Sequence, residues 1–208
     1  MLVVSTALGI FLSASVARAQ TDTAAPKAAL KSLYTAIEKA DQSAIIQVLL
    51  VPDDPQQDVA KAYASMLMAA KRFGDVAKQK FPGVANTLAQ GVLPPEDLAK
   101  LDAADVTIDG DTATVRVSAA GTPAVLKRVN GGWRVAVDPI VPASAPNGRQ
   151  QLIQGLSGAI EQTAAEMSAD KYGSIQEVEN ALKQRMAVVL NKALQANPPT
   201  SRTSSAAG

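Results

Sequence analysis

Across 208 residues there is no cysteine and no histidine, and 20 Lys and Arg stand against 19 Asp and Glu for a formal net charge of +1. The missing thiols exclude disulfides, thiolate chemistry and Cys-zinc sites, and the missing imidazoles remove the commonest general base, the commonest metal ligand and every Ser–His or Cys–His relay. The charges are interspersed rather than grouped, which argues against nucleic acid as a partner, because displacing phosphate counterions takes clustered Lys and Arg.

The chain opens on an apolar run, Leu2 to Val16, followed by Ala17-Arg18-Ala19-Gln20. An apolar stretch of this length ending in an A-x-A pattern reads as a signal peptide over 1–19, which directs export to the periplasm or the exterior. The run is shorter than the roughly 20 residues that span hydrocarbon, so no integral membrane segment is expected after cleavage. No Lys or Arg precedes it, so an uncleaved N-terminal membrane anchor is the alternative. Cleavage before Gln20 takes 19 residues from 208 and leaves 189, with 19 basic against 19 acidic residues once Arg18 is gone. A chain of that length suits one domain, or one domain with an extension, and needs no covalent staples.

After a leader, 20–25, the residues Leu30, Leu33, Tyr34 and Ile37 recur at helical offsets between Pro26 and Lys39. Asp41 interrupts them, and Ile45, Ile46, Leu49 and Leu50 form a second short helix that Pro52 stops. Asp53-Asp54-Pro55 reads as a cap followed by a first-turn proline, opening a long helix through Val59, Tyr63, Met66, Ala70, Phe73 and Ala77 to about Lys80. Between 84 and 101 the pattern is patchy, with one or two short turns expected.

The period changes to two at Val106 and Ile108. Asp109-Gly110-Asp111 is a turn, Ala113, Val115 and Val117 share a face, and 124–129 forms a further strand. Asn130-Gly131 then suits a primed hairpin turn, which needs positive φ, before Trp133, Val135 and Val137. The result is a meander of about four strands with one apolar face. A proline-rich linker, 139–147, leads to two helices. Ile153, Leu156, Ile160, Thr163 and Met167 mark the first, which ends near Tyr172-Gly173. Ser174 and Glu177 form a capping box that starts the second, with a stripe from Ile175 to Ala193. The short connection makes the pair antiparallel, and 197–208 is a polar tail unsuited to packing.

The Lys39-Ala40-Asp41 bend between the first two helices, and the hairpin set Val106 to Val117 and Val129 to Val135, resemble the nuclear transport factor 2-like superfamily. The resemblance covers roughly residues 24–138. It implies helices wrapped on a strongly curved sheet to make a cone with a pocket, a scaffold used by isomerases, dehydratases and non-catalytic binders alike. Two features depart from that pattern: no clear strand separates the second and third helices, and the C-terminal helical pair is additional.

The expected fold is therefore α+β. N-terminal helices pack on a curved antiparallel sheet of about four strands over 26–138, followed by an antiparallel helical hairpin over 148–196. Within a cone, Asp138 at the end of the last strand is the candidate base, if apolar walls raise its pKa. Tyr34 and Tyr63 are candidate hydroxyl donors, and Trp133 lines the pocket or anchors the core. Each has a plainer reading, as strand terminator or core aromatic. Arg128 and Arg134, placed on one strand face, form a candidate anion pair. Asp109 and Asp111 lack the further oxygens of a calcium loop, and Asp53-Asp54 is a cap, so no metal is expected. With so few aromatics no cofactor is expected either. The function that follows is an exported non-catalytic module binding a small apolar ligand or a protein partner. The alternatives are a small isomerase- or dehydratase-like enzyme and a structural homodimer through the open sheet face.

Overall fold

The computed structural model describes residues 23–51, 54, 57–82, 98–117, 123–137 and 146–196. The expected signal peptide 1–19, Asp53, Asp138, positions 139–145 of the expected linker and the tail 197–208 lie outside the described residues.

Helix α1 (Ala24–Glu38) buries Leu30, Leu33 and Ile37 of the stripe read from its offsets, together with Ala36, while Tyr34 is half-buried. Its end is a Schellman motif. The Asp41 N–H donates to the Ala36 carbonyl at 2.8 Å and the Ala40 N–H to the Ile37 carbonyl at 3.0 Å, with Ala40 left-handed at φ 52°. Asp41 then caps α2 (Gln42–Val48), its carboxylate accepting from the Ala44 N–H at 3.0 Å and the Ser43 hydroxyl at 2.8 Å. Those bonds hold the Asp41 carboxyl below its ordinary value, the Ala44 N–H most of all. The bend is thus a helix stop and a helix start sharing one aspartate. A left-handed alanine pays a Cβ penalty that glycine avoids. Ala40→Gly is therefore expected to raise stability by about 1 kcal/mol, read as a higher urea midpoint at unchanged slope.

The second helix ends earlier than its apolar spacing suggests. Leu49 is already extended, at φ −75° and ψ 142°, and Leu49–Leu50 form strand β1. It pairs in parallel with the strand at Val135 and Ala136, and the Val137 N–H donates to the Leu50 carbonyl at 3.1 Å. A two-residue strand shows no period of its own, so its partner far along the chain decides the conformation.

Helix α3 (Asp58–Lys80) also begins later than the Asp-Pro signal indicates, after Gln57 in a left-handed conformation at φ 57°. Asp54 still caps it, but from outside, accepting from the Ala60 N–H at 2.8 Å. One turn, α4 (Leu98–Leu101), precedes the hairpins β2 (Asp105–Asp109), β3 (Thr112–Arg116), β4 (Ala124–Val129) and β5 (Gly132–Ala136). Asn130 and Gly131 adopt φ 51° and 79°, the two positive values that the β4–β5 turn requires.

Among the described residues the sheet has five strands in the order β1-β5-β4-β3-β2. It is mixed rather than a four-strand antiparallel meander, because β1 adds a parallel edge. Register places Ile108, Ala113, Leu126 and Val135 in one row across the sheet, and α1 and α2 cover that face. The N-terminal half of α3 closes this core through Val59, Ala62, Tyr63 and Ala64.

The rest of α3 belongs to a second core. Ala69, Phe73 and Ala77 pack with Ile160, Ala164 and Met167 of α5 (Pro146–Ser168) and with Ile175 and Val178 of α6 (Ile175–Ala196). Ile153 of α5 reaches the first core, so α5 runs parallel to α3 and joins both. Two ion pairs follow the same register, Arg72 to Glu161 and Lys80 to Asp170, each at 2.5 Å. The helical pair beyond residue 147 is thereby packed into the chain along α3. Among the described residues, no helix is long and apolar enough to cross a membrane.

Candidate functional site

The α5–α6 connection is built by a second Schellman motif. The Lys171 N–H donates to the Glu166 carbonyl at 3.0 Å and the Asp170 N–H to the Met167 carbonyl at 3.1 Å. The left-handed residue is Asp170, at φ 55°, and not Gly173, where the sequence places the end of the helix. Gly173 serves the next helix instead. Its N–H donates to the Glu177 carboxylate at 2.7 Å, while the Glu177 N–H donates to the Ser174 hydroxyl at 3.3 Å. The capping box forms with its carboxylate reaching one residue further back than usual.

α6 returns antiparallel to α5, and a cluster of polar groups ties the two together. Arg185 donates to the Thr163 hydroxyl at 2.9 Å, the Tyr172 hydroxyl at 3.1 Å and the Glu166 carboxylate at 2.7 Å. The Tyr172 hydroxyl donates to the same Glu166 oxygen at 2.5 Å, and Lys171 lies 3.1 Å from the other. Thr163, fully buried, donates its own proton to the Ala159 carbonyl at 2.7 Å. The Tyr172 hydroxyl first, then Arg185 and Lys171, hold the Glu166 carboxyl down to about 2 from 4.5. The Tyr172 hydroxyl first, and then Glu166, raise Arg185 above its ordinary value. Because the native carboxyl lies below its unfolded value, its contribution to stability is complete above about 4.5 and is lost as pH falls toward about 2. Melting temperature is expected to fall through that window, and the fall is expected to be shallower in Glu166→Gln. Parallel curves for the two proteins would contradict this coupling.

Beside the cluster, two open grooves lie end to end between α5 and α6. The first, about 560 Å³, is lined by Gly155, Gly158, Ala159 and Gln162 against Gln184, Arg185, Val188 and Val189. The second, about 420 Å³, continues past Gly148, Gln151 and Leu152 to Lys192 and Ala193. They share Gly155 and Val189. A Cβ on Gly155 would stand 2.7 Å from Cγ1 of Val189, so glycine sets how closely α6 approaches. Burial fades along α6. Ile175 and Val178 are buried, Leu182, Met186 and Val189 are half-buried, and Val188 stands 67% exposed on the groove's rim.

The residues singled out in the sequence do not converge here. Tyr63 is buried in the sheet–helix core and Tyr34 packs half-buried against it. Trp133 is half-buried on the same sheet face, with the Arg128 guanidinium 4.7 Å from its ring centroid, a cation–π contact. Asp138, the candidate base, lies outside the described residues. The anion pair is corrected. Arg128 opposes Trp133 and Arg134 opposes Lys127, so the two arginines point from opposite faces of the sheet. A two-residue turn pairs even with odd positions, and equal parity therefore means different faces. Asp109 and Asp111 flank a hairpin turn with Gly110 at φ 55°, and among the described residues no group of three acidic side chains could hold a metal.

Sequence reading missed the Glu166–Tyr172–Arg185 cluster. Its signal was an arginine inside an apolar stripe, three residues after Leu182 and four before Val189. A cation at such a position needs a carboxylate from the facing helix. The chain matches no family model, no curated protein and no solved structure.

Proposed function

We propose that the chain is an exported, non-catalytic module that docks a protein partner along the α5–α6 groove. The observation that carries this reading is the open groove itself, with exposed Val188 on its rim. An uncovered apolar side chain beside a helical groove is what an incoming helix buries. The nuclear transport factor 2-like cone is kept as the reading of 24–138. Its support is the sheet order, with β1 adding a strand directly before the third helix, and the bend at Ala40. A small apolar ligand within that cone, against Trp133, is the companion reading.

The enzyme alternative asks for a carboxylate of raised pKa within reach of a tyrosine hydroxyl. Glu166 and Tyr172 have the geometry, but the carboxylate is held near 2 by partners that occupy both oxygens. A base so weak is a structural clamp. Turnover of ketone or enol substrates that vanishes in Asp138→Asn would overturn the non-catalytic reading.

Docking is tested by photocrosslinking. The chain has no cysteine, so a benzophenone is placed through Val188→Cys and, as a control at an exposed strand position, through Lys127→Cys. Irradiation in native extract is expected to give a discrete adduct from position 188 alone. No adduct, or the same adducts from both positions, would sink the proposal.

A further inference from the structure

The exposed edge of α6 carries a charge pattern that specifies its occupant. Glu177, Ala181, Gln184, Val188, Lys192 and Gln195 recur at offsets of three and four and so share one side of the helix. All are exposed except half-buried Ala181. The acid stands at one end and the base at the other; the positions of this stripe between them are uncharged, and the adjoining Arg185, which also lines the groove, is neutralised by Glu166 of α5 at 2.7 Å. Fifteen residues separate the two charges, about 22 Å along the axis. Lys192 has no ion pair among the described residues, and the Glu177 carboxylate makes its bond to the Gly173 N–H and no ion pair.

We infer that this edge is an interface with a second copy of the chain, α6 packing antiparallel on α6 about a two-fold axis beside Gln184. The inference rests on the docking reading above and names the partner. One register satisfies two requirements at once. Setting Glu177 against Lys192 of the partner subunit also sets small Ala181 against Val188 of the partner subunit. Because the contact is isologous, each pairing occurs twice. The interface therefore gains two ion pairs, and it covers both copies of the valine left on the groove's rim. Parallel pairing would set like charges together at both ends.

The test is sedimentation equilibrium of the purified chain, with circular dichroism reporting the fold of each variant. The wild type is expected to show a concentration-dependent monomer–dimer equilibrium that weakens with added salt, as ion pairs at a partly hydrated rim do. Glu177→Lys and Lys192→Glu are each expected to weaken dimerisation at least about tenfold, since each replaces two attractions by two repulsions. The double variant Glu177→Lys with Lys192→Glu is expected to recover dimerisation, because the swapped charges face each other again. Recovery also separates an interface role from loss of the Glu177 cap, which the swap does not restore. A monomer at all concentrations, or a double variant no better than the singles, would overturn the inference. The crosslinked product at position 188 separates the two levels of claim. A mass of two chains supports self-docking, and a discrete adduct of another mass keeps the docking reading while sinking the second copy. With no adduct, both fail.

Discussion

Leu126→Ala is expected to lower the unfolding free energy by about 3 kcal/mol, within the roughly 2–5 kcal/mol that truncating a buried leucine costs. Leu126 is fully buried and sits mid-sheet, between Ala113 on β3 and Val135 on β5. Its neighbours in the row extend to Ile108 at one edge and Leu49 at the other, so the void opens on the sheet face that α1 and α2 cover, within the core that the N-terminal half of α3 completes. Neighbouring strands are held by their ladders and cannot collapse to fill it. Urea unfolding measures the loss. Leu190→Ala, on the exposed side of α6, is the control and is expected to stay within about 0.5 kcal/mol. Equal effects at the two positions would contradict the assignment of Leu126 to the core.

Gly155→Val is expected to cost about 2 kcal/mol, the usual scale for forcing bulk into a packed contact. The first added carbon already meets Val189 at 2.7 Å, and α6 must move outward to admit it. That movement strains the Arg185 bonds to Thr163 and Glu166, which set the helix spacing one turn further along. Gly158 is the informative comparison. A Cβ there meets nothing within 4 Å, so Gly158→Ala is expected to stabilise the helix by about 1 kcal/mol through propensity alone. Thermal melts of the two variants should therefore move in opposite directions. A loss in both would mean that the whole glycine face, and not one contact, determines the approach.

Much of the architecture was legible in the residues because its periods are long enough to show. The stripe of α5, Ile153 to Met167, is buried at every position named for it. The alternation of β2 and β3 and the Asn130-Gly131 turn were equally clear, since each is a local decision between neighbouring residues. What escaped was decided at a distance. Leu49 and Leu50 have helical spacing with Ile45 and Ile46, and only the edge of β5 turns them into a strand. Asp54 caps α3 from outside the helix through the Ala60 N–H, six residues on, a geometry that spacing alone does not encode. Ala40 and Asp170 take left-handed conformations that glycine would be expected to mark, because the hydrogen bonds of each helix end offset the strain.

The candidate site was less legible than the fold for a related reason. Tyr34 and Tyr63 stand out as aromatics on inward helix stripes and Trp133 as a core anchor or pocket wall, and the structure packs all three in or against the sheet core. The polar cluster joins residues 19 apart on different helices, and Tyr172 and Lys171 in the connection between them add to the Arg185 bond. Arg128 and Arg134 were separated by turn length, which reverses face with each added residue. In each case chemistry-bearing residue types were visible, while their juxtaposition depended on register that only the fold sets.

The docking surface is open to one direct measurement: the alkylation rate of a single cysteine introduced through Val188→Cys, in producing cells and in dilute purified protein. A membrane-impermeant maleimide reads occupancy without the partner's identity. If the groove is covered in its native setting, the cysteine at position 188 reacts much more slowly in cells than in isolation, while one introduced through Lys127→Cys reacts alike in both. Equal rates at position 188 in the two settings would mean that nothing docks there, and would contradict a function carried by the α5–α6 groove.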